Sequence, residues 1–135
     1  DVDARSLANQ YAQMLGQIFT HEMKPMEVEI LVAEVDYEGD SQKNQMFHIL
    51  YDGTVKDEAS FAVLGGESEI ILDRFESLYK ANMTLPKSIS ACIEALSGDG
   101  RKIDPGDLEV AELSIENGRR AFRRITGTEL EDLII

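Results

Sequence analysis

The sequence predicts an α+β fold. Three observations carry that expectation. The chain opens on a long stretch with apolar residues at helical spacing. Apolar stretches with strand-like patterning follow, separated by Glu-Gly-Asp, Asp-Gly and Asn-Gly turn signals. Two further amphipathic helices fall between the two groups of strands. The order reads helix, three antiparallel strands, two helices, a hairpin and a short closing helix. No internal repeat, low-complexity tract or linker interrupts it, so residues 1–135 are expected to form a single domain.

Residues 3–23 read as a helix because Leu7, Tyr11, Met14, Leu15, Ile18 and Phe19 recur on one side. Asp1 or Asp3 can cap it, since a carboxylate accepts the free first-turn amides, and Lys24-Pro25 ends it. In "MEVEILVAEVDYEGD", Val28, Ile30 and Val32 alternate with Glu27 and Glu29, and then Leu31, Ala33 and Val35 make the second face apolar too. That pattern predicts a strand entering a layer buried on both sides. Glu38-Gly39-Asp40 turns the chain into a second strand, "QMFHILY" (45–51). Asp52-Gly53 is a hairpin signal, because a type I′ turn needs positive φ at both central residues. The third strand is expected at "ASFAVLGG" (59–66).

Helices are predicted over 67–81, with Ile70, Ile71, Phe75, Leu78 and Tyr79 on one side, and over 85–98, with Ile89, Cys92, Ile93 and Leu96 likewise. Pro86 is tolerated in a first turn. A polar loop (99–106) leads to a strand at 107–115. Asn117-Gly118 turns it, and 119–125 is the return strand. Thr126 with Glu129 and Thr128 with Glu131 form two overlapping capping-box patterns, which predict a last short helix.

Charge narrows the partners. Lys and Arg number 13 against 26 Asp and Glu, a net charge of −13, which repels a phosphate backbone and an anionic membrane surface. Neither nucleic acid nor membrane is therefore expected as a partner. Cys92 is the single cysteine, so one chain can build neither a disulfide nor a thiolate zinc site, and a reducing compartment such as the cytoplasm fits. The opening enters a helix at once, as if upstream residues had been removed.

No pattern of catalytic, cofactor-binding or metal-binding residues is expected. His21 and His48 lie on different elements, without HExxH or a clustered carboxylate. Glu27, Glu29 and Glu34 read as solvated or contact carboxylates. Gly65-Gly66 before a helix resembles a phosphate cradle, yet no Lys follows, and Glu67 and Glu69 would repel an anion. Cys92 on an apolar helix face reads as a small core residue. No GxSxG occurs, and the chain, beginning at Asp1, offers no leading Thr, Ser or Cys as nucleophile.

Two features stand apart from this background. Arg119, Arg120, Arg123 and Arg124 fall within six residues of an acidic chain. On a strand, Arg120 and Arg124 would share a face with Phe122, and Arg119 and Arg123 the other with Ala121, so they cannot all enter one groove. Guanidinium groups match carboxylates bidentately, and pairing within the chain or between subunits is the expected role. The second feature is the polar side of the first helix, where Asn9, Gln10, Gln13, Gln17 and Thr20 sit with Gly16 and none is charged. A solvated helix face normally carries Glu and Lys, so this one is expected to dock on something.

"DARSLANQYAQMLGQIFT", "KPMEVEILVAEV", "YDGTV" and "RAFRRITGTELEDL" closely resemble the α-type subunits of actinobacterial 20S-type proteasomes, over nearly all of the chain and in order. Those subunits are about twice as long. This chain is similar to their carboxy-terminal half, starting at the second large helix, with a shorter loop at 98–107. The resemblance implies an αββα sandwich of the amino-terminal-nucleophile hydrolase type, of which this chain is a part. It implies a non-catalytic subunit of heptameric outer rings that scaffold assembly on catalytic β subunits, gate substrate access and dock a ring ATPase. The gate and much of the ATPase-docking pocket would precede Asp1. The helix layer containing the first helix faces β in that family, which makes Asn9, Gln13, Gly16 and Gln17 the expected contact residues. A catalytic β-type threonine peptidase, and a stand-alone module binding through the arginine strand, are the alternatives. Taken alone, the chain is expected to self-associate through strand edges or sheet faces left uncovered.

Overall fold

The computed structural model describes residues 2–22, 24 and 26–134. Contacts gather in two compact units, the first ending at Ala62 and the second beginning at Val63. Helices and antiparallel sheets occur in both, which gives a mixed α+β fold.

The first unit opens with helix α1 (Ala4–His21). Asp3 caps it, its Oδ1 accepting the Ser6 amide at 2.8 Å, and Glu34 Oε2 accepts the Ala4 amide at 3.3 Å. Two orphan donors of the first turn are thereby satisfied. Met23, the expected last residue of the helix, and Pro25 of the expected stop lie outside the described residues. Strands β1 (Ile30–Glu34), β2 (Gln45–Ile49) and β3 (Val55–Asp57) form one antiparallel sheet in that order. Ala4, Ala8 and Leu15 of α1 pack with Val32, Phe47 and Ile49 as its core. Full burial of a side chain such as Leu15 or Ile49 is worth about 1.5–3 kcal/mol.

Two strand expectations are corrected here. β1 is not buried on both faces: Val32 is buried, while Leu31 and Ala33 are exposed, Leu31 by 43%. On its second face Leu31 and Ala33 are left exposed by the described residues of the unit. The third strand is Val55–Asp57 and not 59–66. The Asp52-Gly53 turn is tight, Leu50 donating to Thr54 O at 2.9 Å and Gly53 to Leu50 O at 2.9 Å. The chain therefore pairs back on β2 at once, with Ile49 opposite Val55. The apolar run that follows forms no ladder among the described residues.

The second unit packs α2 (Ser68–Leu78) against α3 (Leu85–Ser97) and carries the hairpin β4 (Val110–Leu113) and β5 (Phe122–Ile125), then α4 (Gly127–Leu133). Both strands are shorter than the patterning predicts, because a 3-10 turn over Ile115–Asn117 replaces a tight two-residue turn. Register sets Glu112 opposite Arg123 and Leu113 opposite Phe122. Thr126 caps α4 by position but makes no side-chain capping bond, so the first capping box does not form. Its Glu129 is engaged by Arg123 instead.

Candidate functional site

The buried line of α1 runs through Ala4, Ala8 and Leu15, flanked by half-buried Leu7, Tyr11 and Ala12. A helix turns 100° per residue, so the opposite side carries Asn9, Gln13, Gln17 and Thr20. All four are exposed, as is Gln10. No charge occurs between Ser6 and Thr20. Met14, 53% exposed, and Phe19, 44% exposed, were expected in the core and lie at its margin instead. Phe19 meets Tyr51 edge-to-face, with centroids 5.7 Å apart.

Gly16 differs from its neighbours. It is half-buried and faces the hairpin turn, where a Cβ added to it would lie 3.6 Å from Asp52 O. The turn itself is braced by Asp52, whose Oδ1 accepts the Thr54 amide at 2.9 Å. That bond holds the Asp52 carboxyl below its ordinary pKa. On α1, Thr20 Oγ1 donates to Gly16 O at 2.9 Å, tying down one polar group of the face. Of the four predicted contact residues, Asn9, Gln13 and Gln17 are thus free to meet a partner. Gly16 seats the helix on the turn.

The arginines divide. Arg123 donates through Nε to Glu112 at 2.8 Å and through Nη1 to Glu129 at 2.6 Å. Those bonds hold its proton more tightly than usual, Glu129 contributing most and Glu112 next. Arg119, Arg120 and Arg124 are exposed, and no ion pair holds them among the described residues. Spacing alone could not divide the four, since it requires knowing which carboxylate stands opposite.

A histidine with two carboxylates went unread in the sequence. His48 is buried at the centre of the first sheet, with Nε2 3.1 Å from Glu29 Oε2 and Nδ1 3.8 Å from Glu58 Oε1. Its partners lie beyond the ends of β1 and β3, and the displaced third strand hid Glu58. Once the Asp-Gly turn is taken to start β3, period-two alternation places Glu29, His48 and Glu58 on one face. His21 is exposed at the end of α1. Cys92, expected in the core, is exposed beside a surface groove lined by Ile89, Ile93, Leu96 and Leu108. Partial burial of its thiol raises its pKa and keeps the sulfur protonated, a poor nucleophile. Gly65 and Gly66 are exposed, and no side-chain cap closes the α2 start at Glu67. No trio of His, Cys, Asp and Glu is placed to hold a metal, and no helix is long and apolar enough to cross a membrane, among the described residues.

The family model described as Proteasome subunit matches residues 1–113. The chain belongs to the proteasome subunit family. A proteasome subunit alpha of Acidimicrobium ferrooxidans is 51% identical over 134 residues, which are 99% of this chain and 57% of the relative. Those of Mycolicibacterium vanbaalenii and Rhodococcus jostii are 45% and 46% identical, over 99% of this chain and 55% and 54% of theirs. The chain therefore spans about half the length of the proteasome relatives it matches, all three of them actinobacterial α subunits.

Proposed function

We propose that this chain is part of a non-catalytic α subunit of a cytoplasmic proteasome core particle. Its ring scaffolds assembly on catalytic β subunits and controls substrate access for ATP-dependent protein degradation. Neighbouring α subunits and a ring-shaped ATPase are its further partners.

The observation that carries the docking part of this reading is the outer face of α1. Asn9, Gln13 and Gln17 are exposed and uncharged in a chain whose residues are 29% charged. Amide side chains can be taken out of water at modest cost when hydrogen-bonded, whereas an unpaired charge cannot. Depletion of charge is also what marks the centre of a protein interface. Asn9, Gln13 and Gln17 thus meet the β ring, and Gly16 holds the helix at the height set by the Asp52-Gly53 turn. The names of the relatives support the α assignment over a catalytic β-type subunit.

The test introduces charge where none is tolerated at an interface. Gln13→Glu with Gln17→Glu in the full-length subunit is expected to weaken association with β on the order of tenfold or more. Assembly as tight as the parent's would remove α1 as the docking face.

A further inference from the structure

Three of the chain's 13 Lys and Arg side chains lie within six residues of one another and make no ion pair among the described residues, in a molecule of net charge −13. Arg119 and Arg120 lie in the bend before β5 and Arg124 on it, all exposed. Phe122 between them is 48% exposed, so the patch has an apolar centre and a cationic rim. Arg123, in the same run, is already held by Glu112 and Glu129 and fixes the hairpin to α4. Arg124 is therefore displayed on a braced ribbon, with Arg119 and Arg120 in the bend that leads into it.

The same unit carries a surface of opposite character. Glu69, Asp73 and Glu76 recur at i, i+4 and i+7 on α2, so they form one stripe; all three are exposed, and no ion pair holds them among the described residues. Seven helical steps rise about 10 Å. Arg120 to Arg124 spans at most about 13 Å of extended chain. Ile70 flanks the stripe and is 60% exposed, an apolar residue beside carboxylates as Phe122 is beside guanidiniums. Sign and length match, and each surface has an exposed apolar residue beside its charges.

We propose that Arg120 and Arg124, which flank Phe122 in the chain, dock on Glu69, Asp73 and Glu76 beside Ile70 in a second copy of this chain. Each copy offers both surfaces, so the contact is head-to-tail, and such contacts close into a ring when the rotation allows. Planar guanidinium forks favour carboxylate partners over lone point charges, and like-charge repulsion elsewhere on two acidic copies disfavours other orientations. The proposal deepens the α-ring reading, on which it rests, by naming the surfaces through which copies meet.

The test is charge exchange, read by sedimentation velocity of the whole chain at rising concentration and at low and high salt. One variant carries Arg120→Glu and Arg124→Glu, the other Glu69→Lys, Asp73→Lys and Glu76→Lys. Each alone is expected to lose self-association on the order of tenfold or more. An equimolar mixture is expected to recover it, because the reversed ribbon of one now fits the reversed stripe of the other. Circular dichroism checks that both are folded, and the milder Arg120→Gln with Arg124→Gln serves if a reversal is not. A parent chain that stays monomeric, variants that associate like the parent, or a mixture that fails to recover would each overturn the proposal. Binding of heparin by the parent through these arginines, without self-association, would assign them to a polyanion and also overturn it. Binding to a β subunit, measured in parallel, reads the α1 face separately. A chain that binds β while indifferent to these reversals sinks only the present proposal, and one that exchanges as expected but ignores β sinks only the α1 docking.

Discussion

Gly16 on α1 and Gly53 in the β2–β3 turn meet backbone to backbone. A Cβ on Gly53 would lie 2.9 Å from Gly16 Cα and 2.6 Å from Ala12 O, and Gly53 has φ +90°. Two constraints coincide at one residue, a left-handed backbone and a contact too close for any side chain. The helix thereby rests directly on the turn that sets β3 in register, which fixes the height of the Asn9, Gln13 and Gln17 face above the sheet.

The two glycines are expected to respond unequally to the same change. Gly53→Ala meets both strain and carbonyl oxygen, and is expected to cost about 1–3 kcal/mol or more. At Gly16 an added Cβ finds only ordinary contacts, at 3.6 Å and 4.0 Å. Gly16→Ala should therefore be near neutral, or gain up to about 1 kcal/mol of helix propensity. Denaturant unfolding of the two variants checks this. Equal losses would mean that the close approach is not what holds the turn.

Arg123 joins β4, β5 and α4 through Glu112 and Glu129. With about a third of its side chain exposed, its bonds are partly screened by solvent. Arg123→Ala is expected to lower stability measurably, and less at high salt, whereas Arg124→Ala should stay within about 0.5 kcal/mol for the monomer. Thermal unfolding of both in low and high salt tells them apart. A larger loss for Arg124 would contradict the division drawn among the four arginines.

Much of this organisation is legible in the sequence, and the failures share a cause. Helical spacing located α1, α2 and α3 because each turns one apolar stripe inward, with buried residues in α1 and α3 and half-buried ones in α2, a property of the segment itself. Asp3 is a cap for the same local reason. Strands depend on partners. The Val28–Val35 stretch reads as buried on both faces, yet Leu31 and Ala33 on the second face stay exposed. β3 was expected at the next apolar run, but the turn chemistry of Asp52-Gly53 won over hydrophobicity and started the strand at Val55. That displacement concealed Glu58 and with it the surroundings of His48. Glu129 was legible as a capping residue, but a guanidinium opposite is a stronger partner for a carboxylate than a backbone amide at the same range. The uncharged face of α1 was readable because an absence of charge over the 15 residues Ser6–Thr20 needs no knowledge of partners.

His48 sits between two carboxylates with little water around it. His48→Ala leaves Glu29 and Glu58 facing one another without a donor between them. It is expected to destabilise the first unit by about 1–3 kcal/mol and to speed hydrogen exchange across β2 and β3. Exchange rates unchanged along Phe47–Ile49 would show that the strands hold without this ring.

Asp3 and Asp52 are held below the ordinary carboxylate pKa of 3.8, chiefly by the backbone amides of Ser6 and Thr54 respectively. A depressed folded pKa means that the stabilisation is fully present above the unfolded value and is lost as pH falls through the folded one. Asp52→Asn keeps an acceptor oxygen for Thr54 but removes the titration. Its acid unfolding curve is expected to be flatter than the parent's below the ordinary carboxylate range. Parallel curves would mean that the turn does not sense protonation of this group.

The central claim is assembly, and the most direct measurement is the native mass of the chain alone and mixed with a cognate β subunit. The account predicts a complex containing both, with the outer face of α1 covered. A small oligomer indifferent to β would contradict it, and would place the scaffold function in surfaces that this chain does not carry.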